Sequence, residues 1–319
     1  MKRIGVLTSG GDAPGMNAAV RSIVRMGIYS GLEVVGIQRG FSGLLEGDFH
    51  PLAVGSVADI IHRGGTILLT ARSEEFLTEE GQKKAVEKAQ ENQIDGLVVI
   101  GGNGSLRGAL VLNKLGLPTI GIPGTIDNDV ARTEYTIGFD TAVNTVVEAI
   151  NKIRDTATSH ERIFVLEVMG RHSGQLTLMA GIAGGAESLL IPEHPWSMDE
   201  VVNKILRGRK RGKKHSIILV AEGVGSAFEV SREITRLTGL ETRVMILGHI
   251  QRGGTPTAFD RMLASRMGGK AVELLMRGMK GLMVGIVGNR ICTFDLEAVL
   301  QEEKSIDLEV YCLAGILSI

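Results

Sequence analysis

The sequence predicts an α/β protein built on doubly wound, largely parallel sheets. Three observations carry this. Short Val/Ile/Leu runs recur along the 319 residues, each passing into a glycine-rich turn and then a helical segment. The runs are continuous in apolar character, as in parallel strands covered on both faces. Strand and helix alternate along the chain, the pattern of open α/β sheets. With 44% hydrophobic residues the chain is long enough for two domains or one large core. Its 43 glycines follow no G-X-Y period, which excludes collagen-like and low-complexity readings and points to many sharp turns.

The elements follow in order. "RIGVLTSGGDAPGMNAAVRSIVRMGIYSG" (3–31) is a strand, a turn and a helix. Gly10 and Gly11 let an anion approach the backbone, and Pro14 starts the helix. A plain strand-to-helix turn is the alternative. "IDGLVVIGGNGSLRGALVL" (94–112) repeats the pattern with a strand at Leu97–Ile100, then Gly101, Gly102 and Gly104. Ser105 is placed to cap a helix beginning near Leu106. Free N–H groups and the helix dipole make such a turn an anion site. From Gly102 it reads G-x-G-x-x-x-G, one residue longer than the dinucleotide fingerprint. No G-x-x-x-x-G-K-[ST] occurs, which excludes an ordinary P-loop.

"PTIGIPGTIDND" (118–129) ends a third strand in acid. Asp127 and Asp129 are two apart, so in extended backbone both carboxylates project to one side. One can take a proton from an attacking hydroxyl while the other serves a divalent metal. The alternative is a solvated Asx turn around Asn128. A helix over 136–162 follows, and two lobes join near residue 138. "RIFVLEVMGRHSGQLTLMAGIAGG" (162–185), "HSIILVAEGVG" (215–225) and the segment from Thr242 to Met276 continue the alternation. Arg171 suits a phosphoryl group, Glu222 sugar hydroxyls, and His249 with Arg252 a phosphate. In such sheets ligands bind beyond the carboxyl ends of the strands.

Charge narrows the classes. Thirty-five basic and 36 acidic residues give a net charge of −1, with no global pull toward nucleic acid or membranes. Arg21 and Arg25 are i, i+4 on the first helix and share a face. With the basic run 206–215 they suggest an anion site away from the strand ends; a solvated basic face is the equal alternative. No aromatics interleave the charge, which argues against nucleic acid. No apolar stretch reaches the roughly 18 residues of a membrane span, and no signal peptide precedes the first strand. Cys292 and Cys312 match no metal or redox spacing. A cytoplasmic protein is expected.

Taken together, "TSGGDAPGMNAAVR", "GGNGS", "PGTIDND", "IRDTATSHER", "EVMGRHSG", "VAEGVG" and "LGHIQRGGTPTAFDR" resemble the bacterial ATP-dependent 6-phosphofructokinases, from Met1 to about Arg266 in matching order. The resemblance implies two doubly wound α/β/α domains. Residues 1–138 with about 252–304 would form the larger, ATP-binding domain. Residues 139–251 with about 305–319 would form the smaller, fructose 6-phosphate-binding domain. It further implies a homotetramer, a dimer of dimers, and transfer of the ATP γ-phosphoryl to the 1-hydroxyl of fructose 6-phosphate with Mg²⁺. Asp127 matches the general base, Asp129 its companion near the metal, and Thr125 a residue near the transferred group. Arg72 and Arg171 match cations that neutralise developing charge. Ile126, Met169, Gly170, Glu222, His249 and Arg252 match the sugar-phosphate site. Arg162 and Arg243 match arginines lent across a subunit interface. Gly11, Ser73, Gly102, Asn103, Gly104, Ser105 and Gly108 match the ATP site. Arg21, Arg25, Arg154, Gly185, Glu187, Arg211, Lys213, Lys214 and His215 match an effector site for ADP and phosphoenolpyruvate.

Pyrophosphate-dependent relatives typically carry Asp where Gly104 stands and Lys where Gly124 stands, so ATP is the expected donor. Position 103 departs from the family, whose usual residue there is Asp, attributed to Mg²⁺; Asn103 keeps the shape and removes a charge. Phe41, Ser73 and Leu77 also depart from the residues common around the ATP base, and "YCLAGILSI" from the usual charged ending. The expectation is an active kinase with a weakened metal site. A catalytically weak, regulatory binding homologue and a pyrophosphate-dependent enzyme are the alternatives.

Overall fold

The structure is a computed structural model that describes residues 1–318; Ile319, the end of the apolar tail, lies outside the described residues. In chain order the elements are β1 (Arg3–Thr8), α1 (Met16–Tyr29), β2 (Glu33–Ile37), α2 (Gly40–Glu46), β3 (Phe49–Leu52), α3 (Glu79–Glu91), β4 (Gly96–Gly101), α4 (Asn103–Lys114), β5 (Thr119–Pro123) and α5 (Phe139–His160). There follow β6 (Ile163–Val168), α6 (Gln175–Gly184), β7 (Ser188–Leu190), α7 (Met198–Lys210), β8 (Ser216–Ala221), α8 (Ala227–Thr238) and β9 (Thr242–Ile246). The chain closes with α9 (Ala258–Met276), β10 (Leu282–Val287), β11 (Arg290–Asp295), α10 (Leu296–Gln301) and α11 (Leu308–Leu317).

The chain divides into two units. Met1–Thr141 with Arg252–Lys304 is one; Ala142–Gln251 with the segment from Ser305 is the other. The first holds a seven-stranded sheet in the order β11-β10-β5-β4-β1-β2-β3. Its inner strands are parallel, while β3 and β11 return antiparallel at the two edges. Every residue of β4 is buried, as expected of a parallel strand covered on both faces. The second unit holds an all-parallel sheet, β7-β8-β6-β9, with β8 wholly buried. Each unit has its own apolar core, around Leu97, Val99 and Leu106 in the first and around Val165, Ile218 and Val220 in the second. Thr78, Ser197, Ser226 and Thr257 accept backbone N–H bonds at the starts of α3, α7, α8 and α9.

Two helix starts differ from expectation. α4 begins at Asn103 with an extended Gly102 as its cap, three residues before Leu106. Ser105 therefore lies inside the first turn, where it packs against Gly101. α1 begins at Met16, after a left-handed Gly15 (φ 106°), so Pro14 precedes the helix. A Cβ on Gly15 would come within 2.7 Å of Ile137, so glycine answers both the backbone and the space.

β1 lies between β4 and β2, so the strand order reverses there. Ligands of doubly wound sheets bind beyond the strand ends at such a switch point. Among the described residues, no helix is long and apolar enough to cross a membrane.

Candidate active site

The turns after β1, β4 and β5 lie side by side, because those strands are neighbours in the sheet. Ser9 N donates to Ile100 O at 3.0 Å, and Gly124 N to Gly101 O at 3.0 Å. These bonds continue the parallel ladder into the turns. A Cβ on Gly101 would fall 2.4 Å from Ser9 O and 2.5 Å from Ser105 Oγ, so only glycine lets the first two turns stack. Gly104 faces open space in the first turn of α4. Gly124 is enclosed instead, with its added Cβ 3.1 Å from Ile100 and 3.3 Å from Met16. Gly108, one turn further along α4, backs onto the stacked rings of Phe41 and Phe76, 4.1 Å apart.

The acidic turn is closed on itself. Thr125 N donates to Ile137 O at 3.1 Å, and Thr136 Oγ1 to Thr125 O at 2.6 Å. Thr125 Oγ1 in turn accepts from Asp127 N at 3.2 Å. Asn128 is left-handed (φ 51°), so the backbone between Asp127 and Asp129 is not the extended one expected. Its side chain ties both ends of the loop: Nδ2 donates to Glu134 O and Oδ1 accepts from Thr136 N, each at 3.0 Å. Asp127 and Ile126 are buried, and Asp129 is partly open.

The acidic turn rests on the glycine turn after β4. Gly102 faces the Thr125 side chain, and Asn103 Nδ2 donates to Asp129 Oδ2 at 3.1 Å and to Asp129 O at 3.3 Å. No group of three or more His, Cys, Asp or Glu is arranged to hold a metal ion among the described residues. A divalent ion would find here the Asp129 carboxylate and, with the Asn103 amide turned over from its bond to Asp129, the Asn103 carbonyl oxygen, hard donors of the kind Mg²⁺ takes beside phosphate and water. The donor set fits, with one formal charge.

Arginines approach from two segments of this unit. Thr70 Oγ1 donates to Gly10 O at 2.7 Å, which ties the loop before Arg72 and Ser73 to the first glycine turn. Arg72 is exposed, and Ser73 Oγ accepts from Phe76 N at 3.2 Å. Arg252 lies across Gly11: an added Cβ there would meet its guanidinium at 1.7 Å. The buried Arg252 Nε has no hydrogen-bond partner among the described residues. An orphaned buried donor over a glycine turn is a place for an anion.

In the second unit the ends of β6 and β8 meet at Glu222. Its Oε1 accepts from Arg171 N at 2.5 Å and from Gly170 N at 3.3 Å, holding two left-handed residues, Gly170 (φ 142°) and Arg171 (φ 53°). Met169 N donates to the buried Gln251 at 3.2 Å, while His249 is exposed. Arg162 Nε donates to Glu241 Oε2 at 2.9 Å, and Arg243 pairs with the same carboxylate. The two guanidinia, Arg162 first, hold Glu241 below the usual carboxylate range.

The expected effector residues of this unit also gather. Arg154 donates to the carbonyls of Gly184 and Gly185. Glu187 pairs with Lys213 and accepts from Ile217 N at 2.5 Å; Lys214 pairs with Glu161. Burial lowers the His215 pKa against the pull of Glu187. Arg211 ends α7 in solvent. Arg21 and Arg25 belong to the first unit, on α1.

Lys304 was not legible as a site residue. It lies outside every motif, 170 positions from the carbonyl of Glu134 to which its Nζ donates at 3.0 Å. Burial brings its pKa down to about 8, while the charges of Asp129 and Glu134 oppose the shift.

Residues 3–275 match the family described as phosphofructokinase. The ATP-dependent 6-phosphofructokinase of Halothermothrix orenii is 64% identical over 331 aligned residues, covering 100% of both chains. That of Halalkalibacterium halodurans is 60% identical over 319 residues, again covering 100% of both. The phosphofructokinase of Saccharomyces cerevisiae superposes with a TM-score of 0.90 at 38% identity; the match spans 100% of this chain and 48% of the yeast chain. The pyrophosphate-dependent phosphofructokinase of Marinobacter aquaeolei superposes with a TM-score of 0.87 over 97% of this chain and 86% of that one, at 21% identity, and shares the fold.

Proposed function

The chain belongs to the phosphofructokinase family, and from that premise we propose that it is an ATP-dependent 6-phosphofructokinase, making fructose 1,6-bisphosphate and ADP. One observation carries the chemistry: the turn bearing the buried Asp127 is seated on the glycine turn at the N-terminus of α4. A base and an anion cradle thus share one rigid corner of the sheet.

In the proposed reaction Asp127 takes the proton from the 1-hydroxyl of fructose 6-phosphate. As the O1–H bond breaks, O1 forms a bond to the γ-phosphorus, and the bond from that phosphorus to the β-phosphate oxygen breaks. ADP leaves, and Asp127 later returns its proton to solvent. Little covalent work falls to the protein in such a transfer; positioning and charge carry the rate. Thr125 orients the transferred group. Arg72 and Arg171 balance the charge developing on it. Gly11, Ser73, Gly102, Gly104, Ser105 and Gly108 belong to the ATP site. Ile126, Met169, Gly170, Glu222, His249 and Arg252 belong to the sugar-phosphate site. Asn103 and Asp129 would hold Mg²⁺, which when bound offsets the negative charge of the donor phosphates.

The finer assembly is likewise proposed. In a homotetramer Arg162 and Arg243 serve the 6-phosphate of a neighbouring subunit. The basic cluster around Arg154, Glu187 and Lys213, with Arg21, Arg25, Gly185, Arg211, Lys214 and His215, takes ADP and phosphoenolpyruvate as effectors.

The test is a fructose 1,6-bisphosphate assay with ATP and separately with pyrophosphate, across a Mg²⁺ titration. Product with ATP alone, lost in Asp127→Asn, is expected. Product with pyrophosphate alone, or full activity in Asp127→Asn, would overturn the reading.

A further inference from the structure

Asp260 belongs to none of the sites assigned above, yet it is a fully buried acid of the first unit. Its Oδ1 accepts from Gly138 N at 2.8 Å; its Oδ2 accepts from Thr141 N at 2.8 Å and from Thr141 Oγ1 at 2.5 Å. Thr257 closes a ring with Asp260 and Thr141, because Thr257 N donates to Thr141 Oγ1 at 3.0 Å and Asp260 N to Thr257 Oγ1 at 3.2 Å. No cation is among these partners. Burial dominates its pKa, which is pushed up to about 6, with Asp140 adding to the shift.

A carboxylate among neutral donors is a costly way to join two segments, since ionised groups resist burial. It offers what a neutral side chain of the same size does not, two acceptor oxygens for donors on two sides. An asparagine would set its NH₂ against Gly138 N–H or the Thr141 donors. What that geometry fixes is Gly138. This glycine is left-handed (φ 100°), and an added Cβ would come within 2.6 Å of Ala13. Its predecessor, Ile137, donates to Pro123 O at 3.0 Å and accepts from Thr125 N at 3.1 Å. The Ile137–Gly138 peptide therefore carries at one end the N–H that Asp260 grips and at the other the C=O that clamps the start of the acidic turn.

We infer that Asp260 is a positioning residue for the phosphoryl-transfer turn, setting the place of Thr125 and Asp127 through Gly138 and Ile137. The inference rests on Asp127 being the base of the proposed reaction. Its hydrogen-bond partners, Gly138, Thr141 and Thr257, belong to neither proposed substrate site, so its expected effect is on the rate of the chemical step.

Asp260→Asn and Thr141→Val in the full chain test this by kcat, both KM values, thermal midpoint, and deuterium uptake of peptides within 118–130. Those amides do not contact Asp260. Asp260→Asn is expected to lower kcat by about tenfold or more, the scale of a lost charge-assisted hydrogen bond, with both KM values within about twofold. Exchange across 118–130 speeds up. Thr141→Val, which removes one of the three bonds to Asp260 and the acceptor of Thr257 N, lowers kcat by about two- to threefold with the same pattern. A wild-type kcat with a lowered thermal midpoint would reduce Asp260 to a structural role and overturn the inference, as would unchanged exchange across 118–130. If Asp260→Asn does not fold, Thr141→Val decides alone. Asp127→Asn is run in parallel: full activity there overturns the base assignment, whatever the exchange data show for Asp260.

Discussion

Asn103 donates its side-chain amide to the Asp129 carboxylate at 3.1 Å. The residue that departs from the family's usual acid is thus not idle. It donates a hydrogen bond to the carboxylate that would meet the metal. With Asp at both positions, two like charges would face each other until a cation arrived. Asn103→Asp is therefore expected to lower the thermal midpoint in metal-free buffer and to lower the half-saturating Mg²⁺ by about ten- to a hundredfold, the scale of one charged ligand contact. A Mg²⁺ titration of activity and a melting curve with chelator measure the two effects separately. Equal Mg²⁺ demand in both proteins would remove position 103 from the metal site.

Gly104 faces open space in the first turn of α4. A carboxylate there favours the helix, because it complements the positive end of the dipole. The same carboxylate repels an incoming phosphate. Gly104→Asp is expected to hold or raise the thermal midpoint while raising KM for ATP by about tenfold, one unfavourable charge contact in a partly open site. A loss of stability with unchanged KM would show the open space to be irrelevant to the nucleotide.

Asp260 gives the fold a pH signature. The folded chain keeps a proton on it up to about pH 6, whereas an ordinary carboxyl releases its proton near 3.8. Between these values the folded state binds more protons than the unfolded state, so stability falls as pH rises through that window. The whole effect is on the order of 2–3 kcal/mol, judged from the size of the shift. Melting curves at pH 4–7 should show a wild-type minus Asp260→Asn difference that shrinks with rising pH. A flat difference would place the Asp260 pKa near its ordinary value.

Glu187 and Lys213 are partners with unequal duties. Glu187 is mostly buried and accepts from Ile217 N within the sheet, while Lys213 is more open. Glu187→Ala is expected to cost about 1–3 kcal/mol, because it leaves a buried N–H without its acceptor. Lys213→Met is expected to cost at most about 1 kcal/mol, as for a partly exposed ion pair. Both should blunt the response to ADP. Chemical denaturation and an ADP titration separate the two roles, and an intact ADP response in Lys213→Met would move the effector site elsewhere.

The local features of this protein were legible because they are written within a few residues. An apolar run, a glycine pair and a helix lie in one stretch, so the turns after β1, β4 and β5 could be read directly. Their being neighbours could not, since strand order comes from pairing between distant segments. Cap positions slipped for a related reason. Ser105 looks like a cap in sequence, yet the flexible Gly102 lets α4 begin earlier and leaves Ser105 to pack against Gly101. The same-side reading of Asp127 and Asp129 failed on Asn128, whose left-handed backbone is stabilised by bonds to Glu134 and Thr136. Lys304 and Asp260 carry no motif at all. Their partners lie 170 and 122 positions away, so only the fold reveals them.

Arg162 and Arg243 share the single carboxylate of Glu241. A ligand that claims both guanidinia must outbid a group already in place. A singly charged anion would merely replace one monovalent partner with another, at no net gain. A dianion would gain a second charge in the exchange, so at the proposed phosphate site the threshold for displacing Glu241 would be set by valence. Sugar phosphates near neutral pH cross that threshold, whereas chloride and acetate do not.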